Sequence, residues 1–438
     1  MSPEFEHSPM LFVGERIMQQ VGRHWFSILV AGFVGLLLSP VGVAIGDCDS
    51  HWVSLAEDPD DYADVTVVHN DGSGESLFVG GKFLSIGSTI AAHIARWDGE
   101  QWWPLGEGLN GRVYAIAVHE DEHGTSLYVG GEFTQAGGVV ANHIARWDGS
   151  SWSAVGAGVS GPVHAIYSHE DDNGPLLLVS GNFTQAGNQP ALRLASWNGS
   201  AWAAFGPGMN ATANVFAMFD DGNGEALYIA GDFTQFGGQS ANRIVRWSGG
   251  SWQTLNGPSG NGLNSRVEGL VVHDDGSGTA LYVGGQFTLA GGTPASRIAK
   301  WDGSEWSPVG TGTGSRVRTM TLFDDGSGAA IYIGGHFTGN GAGSIWLPHV
   351  AKWDGSDWAA LDTGVNSTVL CLTGWQLNDR PALYASGWFT QAGGEPARHL
   401  AAWSVCAGDG TPCPADLNGD GFVNLPDLNL VLSNFGQT

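Results

Sequence analysis

Basic residues are scarce in this sequence. Its 438 residues include 17 lysines and arginines against 43 aspartates and glutamates, which gives a formal net charge of -26. Proteins that bind nucleic acid or an anionic membrane surface depend on clustered basic side chains. The composition therefore argues against nucleic acid as a partner. It suits a soluble extracellular protein, or one that meets divalent cations.

Cysteine is also rare, with only Cys48, Cys371, Cys406 and Cys413 in the chain. No pair has Cys-x-x-Cys spacing, which excludes zinc-ribbon and thioredoxin-like sites. An even number in an exported chain permits disulfides. Cys371 lies within an apolar run, and we expect it to be a buried core thiol.

Familiar catalytic motifs are missing. The chain has no Gly-x-Ser-x-Gly, no Walker-type phosphate loop and no dinucleotide fingerprint. His119-Glu-Asp-Glu-His123 matches the zinc-protease motif in letters, but that motif requires a helix. Here the segment lies where other repeats have a strand end running into an acidic turn, so we expect no zinc site.

Only one long apolar run occurs, at 25–38, after Arg23 and before the small residues Ala44 and Gly46. This arrangement predicts a secretory signal peptide over residues 1–46 and a secreted, extracellular or cell-surface protein. An uncleaved anchor helix is the alternative. No second segment could span a membrane, so we expect no membrane insertion after cleavage.

Glycine and tryptophan are abundant, at 69 and 19 residues. A motif of Gly, Ser or Ala, then Gly-x-Phe, recurs seven times at intervals of 50 to 54 residues. Its phenylalanines are Phe83, Phe133, Phe183, Phe233, Phe287, Phe337 and Phe389. A tryptophan follows each one, and in six copies a second tryptophan comes five residues later. A period of this length indicates a repeat architecture.

Each repeat is predicted to form four short strands. In the second repeat these are 113–118, 126–133, 143–147 and 152–155, with an Asp-Gly turn before the last. Such a sheet cannot bury both faces alone, and packing seven of them around an axis solves this. The predicted fold is therefore all-β, a seven-bladed β-propeller. A β-solenoid is less favoured because its repeats are usually shorter.

The seventh repeat lacks its second tryptophan, and His51-Trp52-Val-Ser-Leu55 at the other end of the mature chain reads like the missing strand. We expect this strand to complete the last blade. Cys48 and Cys406 would then meet, which predicts a disulfide between them. Cys48–Cys413 and Cys406–Cys413 are the alternative pairings.

The Gly-Gly-x-Phe and Trp-Asp-Gly-x-x-Trp units resemble bacterial kelch-like propeller repeats over nearly all of residues 51–405. The resemblance implies the propeller architecture but no particular partner.

After the propeller (47–405) and a linker (406–415), residues 416–438 change character. Oxygen ligands occur at positions 1, 3, 5, 9 and 12 of a calcium loop, with Gly421 at the sharp turn, which predicts a calcium site. The predicted ligands are Asp416, Asn418, Asp420, the Phe422 carbonyl, Asn424 and Asp427. A short helix over 425–434 would follow.

This tail resembles one repeat of a type I dockerin, including Asp rather than Glu at the last ligand position. The same calcium ligands follow from the resemblance. Dockerins usually have two repeats and this tail has one. A cohesin-like partner and a surface-anchoring or sorting role therefore both stay open.

Two further patterns recur, the first in every repeat and the second in several of them. A His or Arg begins each third strand, and we expect it to pair with a nearby carbonyl or carboxylate rather than with a ligand. The residues are His93, His143, Arg193, Arg243, Arg297, His349 and His399. Acidic turns such as Asp220-Asp221-Gly could collect cations on one rim, but Asp and Gly are also favoured turn residues, and we prefer that interpretation.

Positions that differ between repeats are better candidates for a ligand site. The sixth repeat has a longer loop containing Trp346, and the variable residue of Gly-x-Phe is His336 there and Trp388 in the seventh. Loops between second and third strands open onto the face that commonly binds ligands. We expect Trp346, Trp388 and His336 to contact a ligand, with an aromatic plug as the alternative.

Together these features favour a monomeric, non-enzymatic binding or adhesion propeller for an extracellular protein or polysaccharide, displayed through its calcium tail. A secreted glycoside hydrolase or polysaccharide lyase on the same scaffold is the alternative, since carboxylates are plentiful.

Overall fold

The computed structural model describes residues 50–405, apart from 56, 122–123, 172–173, 258–259 and 378–379. Seven antiparallel four-stranded sheets follow one another along the described chain. Their first strands contact each other in a closed ring, so these strands are innermost. The prediction of an all-β, seven-bladed propeller is confirmed. No helix long and apolar enough to cross a membrane occurs among the described residues.

The four strands of each blade are numbered outward from the axis. The first strands are Ala63–Asn70, Val113–Asp121, Val163–Asp171, Ala213–Asp220, Val267–Asp274, Val317–Asp324 and Val369–Leu377. The second strands are Glu75–Gly81, Gly124–Gly131, Gly174–Gly181, Glu225–Gly231, Thr279–Gly285, Ala329–Gly335 and Arg380–Gly387. The third strands are Ile94–Trp97, Ile144–Trp147, Leu194–Trp197, Ile244–Ser248, Ile298–Trp301, Val350–Trp353 and Leu400–Ser404. The fourth strands are Trp102–Pro104, Trp152–Ala154, Trp202–Ala204, Ser251–Thr254, Trp306–Pro308, Trp358–Ala360 and, in the seventh blade, His51–Ser54.

Small two-stranded hairpins fill the loops between second and third strands in six blades. They are Ser85–Ile86 with Thr89–Ile90, Gln135–Ala136 with Val139–Val140, Gln185–Ala186 with Gln189–Pro190, Gln235–Phe236 with Gln239–Ser240, Leu289–Ala290 with Thr293–Pro294, and Gln391–Ala392 with Glu395–Pro396. The longer loop of the sixth blade has a single bridge between Gly339 and Trp346 instead. An extra hairpin, Asn256–Gly257 with Gly260–Asn261, links the fourth and fifth blades. This hairpin accounts for the one interval of 54 residues between successive Gly-x-Phe motifs, from Phe233 to Phe287.

Five strand boundaries in the second blade differ from those predicted, because the first strand extends to Asp121, the second begins at Gly124 and the fourth ends at Ala154, and two more differ around the Gly-x-Phe loop. Its second strand ends at Gly131 rather than Phe133, and its third begins at Ile144 rather than His143. The reason is that the chain leaves the ladder at the Gly-Gly pair. Phe133 then packs into the core from the loop, with 1% of its surface exposed. His143 has a left-handed backbone (φ 65°), which does not fit a strand.

Paired tryptophans face each other across the third and fourth strands, as predicted. Trp97 is opposite Trp102, with ring centroids 5.1 Å apart, and corresponding pairs recur around the propeller. In the fourth blade Phe236 packs against both Trp247 and Trp252. Such aromatic cross-strand contacts stabilise the outer hairpin of each sheet.

The propeller closes through its first described strand. His51–Ser54 pairs antiparallel with Leu400–Ser404, with Trp52 opposite Trp403. The N-terminal strand therefore completes the seventh blade, and the predicted closure is confirmed.

Candidate functional site

A β-bulge interrupts the start of the first strand in all seven blades. In the second blade Val113 pairs with Gly131 and Ala115 with Gly130, which leaves Tyr114 as the extra residue. Bulges re-aim one side chain and are frequent beside functional sites. Because the first strands are innermost, these extra residues surround the axis of the propeller.

The second glycine of the sequence motif makes room for this bulge. A Cβ added to Gly131 would lie 2.1 Å from the Arg112 carbonyl oxygen, and the corresponding glycines of the other blades would clash in the same way. The same carbonyl accepts a hydrogen bond of 2.9 Å from the backbone N–H of Glu132. The recurrent Gly-x-Phe therefore marks the position of a bulge as well as of a strand.

The bulge residues differ in every blade although the surrounding scaffold repeats. They are Asp64, Tyr114, His164, Asn214, Glu268, Arg318 and Leu370. All seven line one cavity of about 660 Å³ at the end of the channel where the first strands begin. A repeated scaffold that presents seven different side chains to one cavity is typical of a ligand site.

Five arginines from four blades reach this central cavity, although the whole chain has only 17 lysines and arginines. They are Arg112, Arg193, Arg266, Arg316 and Arg318. Three carboxylates, Asp64, Asp232 and Glu268, also line it. The scarcity of basic residues gave no reason to expect such a concentration.

Two of the arginines form bidentate ion pairs with bulge carboxylates of the preceding blade. Arg112 donates to both Asp64 oxygens, at 2.6 and 2.5 Å. Burial raises the pKa of Asp64, and these two hydrogen bonds oppose that rise. Arg316 donates to both oxygens of Glu268 in the same manner. The two parallel hydrogen bonds of each bidentate pair fix the orientation of the guanidinium relative to the carboxylate.

Arg318 is held differently. One of its terminal nitrogens is 3.9 Å from a Glu268 oxygen that Arg316 already engages. Arg318 makes no hydrogen bond within the described part of the chain, although only 27% of its side chain is exposed. Burial lowers the pKa of its guanidinium, and the nearby Arg316 adds to that effect while Glu268 opposes it.

Another wall of the cavity is aromatic and neutral. The rings of Tyr114 and His164 stack with centroids 5.0 Å apart, and His164 Nε2 is 3.1 Å from Asn182 Nδ2. Burial lowers the pKa of His164, so its ring is neutral near pH 7. Tyr114 donates a hydrogen bond of 2.5 Å to Glu132, and burial together with this bond raises its pKa to about 12.

The structure brings two of the predicted ligand residues together. The rings of His336 and Trp388 meet edge-on with centroids 5.4 Å apart, and Trp388 also lies 5.9 Å from the ring of Tyr62. His336 and Trp388 occupy the Gly-x-Phe position at which Asn182 and Asp232 line the cavity in other blades. Trp388 is 38% exposed. These residues form an aromatic cluster beside the central cavity.

Trp346 does not join this cluster. It is 66% exposed on the sixth-blade loop, and no aromatic contact is found for it within the described residues. The neighbouring Leu347 is fully buried and anchors the loop.

The repeated His and Arg residues before the third strands make contacts within the blades, and one of them, Arg193, also lines the central cavity. All seven have a left-handed backbone, with φ between 63° and 71°. In the first blade the backbone N–H of His93 donates to the Phe83 carbonyl, and its own carbonyl accepts from Gly81. Side-chain contacts to carbonyls also recur, such as His399 Nδ1 to Gly387 O at 3.0 Å.

The aspartates of the acidic turns accept hydrogen bonds within their own blades. Asp220 accepts hydrogen bonds from the N–H groups of Gly222 and Gly224, while Asp221 accepts one from Tyr228 and one from Arg246. Among the described residues, no group of three or more His, Cys, Asp or Glu side chains could hold a metal ion.

The described part of the His119 motif, His119 to Asp121, lies at the end of a strand. His119 belongs to the first strand of the second blade, is 1% exposed and lies 2.8 Å from the Ser168 hydroxyl. His123 is outside the described residues.

The prediction that Cys371 is a buried core thiol is wrong. Cys371 is a free, partly exposed thiol that lines the central cavity, with its sulfur 3.5 Å from the Thr66 hydroxyl. It lies on an innermost strand, where alternate side chains face the channel rather than a neighbouring sheet. The other three cysteines and the predicted calcium loop lie outside the described residues.

The cavity residues were missed from the sequence, yet a signal for them exists. Aligning the repeats on Gly-x-Phe places the seven bulge residues at one equivalent position where no residue type occurs twice. At most neighbouring positions the same residue types recur from repeat to repeat, because those residues form the blade. The contrast between this variable position and its repeating neighbours identifies the residues that face the channel, provided that the first strands are known to be innermost.

A family model and one solved structure agree with the fold. A family model described as the Rax2 C-terminal beta propeller domain matches residues 98–272. The extracellular domain of a one-component system from B. thetaiotaomicron superimposes with a TM-score of 0.50 at 11% identity, covering 81% of this chain and 40% of that one. BBS1N, solved in complex with ARL6DN, gives a TM-score of 0.46 at 11% identity and covers 82% and 98% of the two chains. No curated protein is significantly similar in sequence. The chain is a β-propeller, and it spans less than half the length of the first of these structures.

Proposed function

We propose that this protein is an extracellular, non-enzymatic binding propeller whose ligand occupies the central cavity. One observation carries the proposal: seven bulges aim seven different side chains into one cavity, on a scaffold that otherwise repeats. A purely structural channel would need no such diversity, because the same residue could serve each blade. The aromatic cluster of Tyr62, His336 and Trp388 would extend the site at its rim.

Display at the cell surface is part of the proposal. The predicted signal peptide would export the chain, and the dockerin-like calcium tail at 416–438 would attach it to a cohesin-like or surface-anchoring partner. The kelch-like character of the repeats fits such a role, since propellers commonly present a binding face while their edges stay protected.

A secreted carbohydrate-active enzyme is the second candidate, favoured by the buried carboxyl of Asp64 in the cavity, whose pKa burial raises. A general acid needs such a raised pKa. However, Arg112 holds both Asp64 oxygens, and Arg316 holds both Glu268 oxygens. Neither carboxylate is free to exchange a proton without breaking a bidentate pair, which favours binding over catalysis.

One screen separates the two functions. The mature chain would be tested against an array of glycans and extracellular proteins, and each ligand would be incubated to look for cleavage products. Binding without product, lost in Tyr114→Ala and retained in Trp346→Ala, supports the proposal. Turnover that Asp64→Asn abolishes would establish the enzyme instead.

A further inference from the structure

The unpaired guanidinium of Arg318 indicates which chemistry the cavity accepts. A buried charge is costly unless it is paired and hydrogen-bonded. Arg318 has only the 3.9 Å contact with Glu268, and both Glu268 oxygens are already engaged by Arg316. The N–H donors of its planar guanidinium therefore face the cavity without a hydrogen-bond acceptor among the described residues.

The charges around it leave an excess of cations. Five arginines and three carboxylates line the cavity, and Asp64 is fully engaged by Arg112. Arg266 has its Nε 3.2 Å from an Asp232 oxygen. Two arginines, Arg318 and Arg193, are therefore left without a carboxylate partner of their own, and Arg193 donates to the Met209 carbonyl, although the whole chain is strongly acidic. A bidentate anion would supply the missing acceptors, and carboxylates match a guanidinium fork in geometry.

The rest of the lining suits hydroxyl groups rather than a bare anion. Asn182, Asn210 and Thr212 offer neutral donors and acceptors, and burial lowers the pKa of His164 so that its ring is neutral. The exposed ring of Trp388 at the rim could stack on a sugar face. Carboxylate and hydroxyls together are the chemistry of a sugar acid.

The net charge limits how much of an anionic polymer could approach. A formal charge of -26 would repel a long polyanion, whereas a recessed cavity lined by arginines still attracts one carboxylate. Attraction and repulsion between charges are screened beyond about 8 Å at physiological salt. The recognised unit is therefore a single residue or a chain end.

We propose, resting on the binding function above, that the central cavity binds a uronate sugar or uronate chain end, with Arg318 holding its carboxylate. The side chains of Tyr114, His164 and Asn182 would then contact the sugar hydroxyls.

Calorimetry on the mature chain tests this with four probes: galacturonate, glucuronate, neutral galactose and inorganic sulfate. We expect a uronate to bind at least about tenfold more tightly than galactose. Arg318→Gln should reduce that affinity by about tenfold or more, as expected for a lost charge-assisted pair. Arg318→Lys should recover part of it, and Arg398→Gln, an exposed arginine outside the cavity lining, should leave it unchanged.

Thermal unfolding supplies a readout independent of binding. Because Arg318 is incompletely paired, Arg318→Gln should unfold at the same or a higher temperature than the wild type. A purely structural arginine would instead lower it. Equal uronate binding by Arg318→Gln overturns the proposal, as does equal binding of galactose and uronate. Sulfate binding as tight as uronate binding, with the same dependence on Arg318, would overturn the sugar assignment. If no uronate binds but the wider array finds another ligand, the binding function stands and this inference fails.

Discussion

Trp52 and Trp403 lie opposite each other across the seam that closes the propeller, with ring centroids 5.5 Å apart and planes at 60°. The two residues are 351 positions apart in sequence. The indole N–H of Trp52 also donates a 3.0 Å hydrogen bond to the Leu361 carbonyl of the sixth blade. The Trp52 side chain therefore connects the first described strand to both the sixth and the seventh blade.

Trp52→Ala should destabilise the propeller by about 3–5 kcal/mol, because it removes a buried aromatic ring and leaves a buried carbonyl without its donor. The shift of the denaturant midpoint, followed by tryptophan fluorescence, measures the effect. Trp346→Ala is the control, since that ring is 66% exposed and its loss should change stability by less than about 0.5 kcal/mol. Equal effects of the two substitutions would contradict closure through Trp52.

Gly131→Ala tests the bulge that forms the cavity. The added methyl carbon would lie 2.1 Å from the Arg112 carbonyl oxygen, so the strand must shift. We expect a loss of about 1–3 kcal/mol and a displaced Tyr114. Gly260→Ala, in the hairpin between blades four and five, meets no atom closer than 4.0 Å and should be tolerated. If both substitutions unfold at the same denaturant concentration, the steric requirement is refuted.

Much of the fold was predictable because its signals are local. Each Trp–Trp pair belongs to one hairpin, and the spacing of Trp97 and Trp102 already specifies a tight turn. The cavity was not predictable in the same way, since Asp64 and Arg112 meet only after neighbouring blades pack. Cys371 shows the same limit: an apolar run predicts a core strand, but it does not say whether a residue faces a sheet or the channel.

The disulfide between Cys48 and Cys406 stays a prediction, since both cysteines lie outside the described residues. The spacing of Cys48 before Trp52 and of Cys406 after Trp403 motivates it, because those two tryptophans pair across the seam. We expect non-reducing peptide mapping to recover Cys48 and Cys406 as one linked pair with Cys371 as a free thiol. Cys48→Ser should cost about 2–5 kcal/mol. Recovery of Cys48 as a free thiol, or linked to Cys413, would refute this pairing.

Acid should weaken one contact within the sixth blade. Burial would raise the pKa of Asp325, but hydrogen bonds from Lys352, Ser327 and Tyr332 lower it to about 2, against an ordinary value of 3.8. A carboxyl with a depressed pKa stabilises the folded state above its unfolded pKa, and this stabilisation is lost as the pH falls. Asp325→Asn should therefore cost about 1–2 kcal/mol at pH 7, and the difference from wild type should shrink between about pH 4 and pH 2.

Denaturant unfolding at several pH values measures this difference. Glu395→Gln, on an exposed loop hairpin, provides the control and should show no comparable loss at pH 7. A gap between Asp325→Asn and wild type that stays constant from pH 7 to pH 2 would contradict the assigned ion pair.

Calcium binding by the tail is the remaining prediction from sequence. Asp416, Asn418, Asp420, Asn424 and Asp427 supply oxygen ligands at the spacing of a calcium loop. Titration calorimetry should show one calcium site per mature chain in the wild type, and Asp416→Ala should weaken it strongly because the first loop position supplies a carboxylate ligand. Binding of a uronate to the cavity should be unaffected by Asp416→Ala, since no group among the described residues could hold a metal ion. Identical calcium titrations of the two proteins would refute the loop, and a parallel loss of sugar binding would place calcium in the ligand site instead.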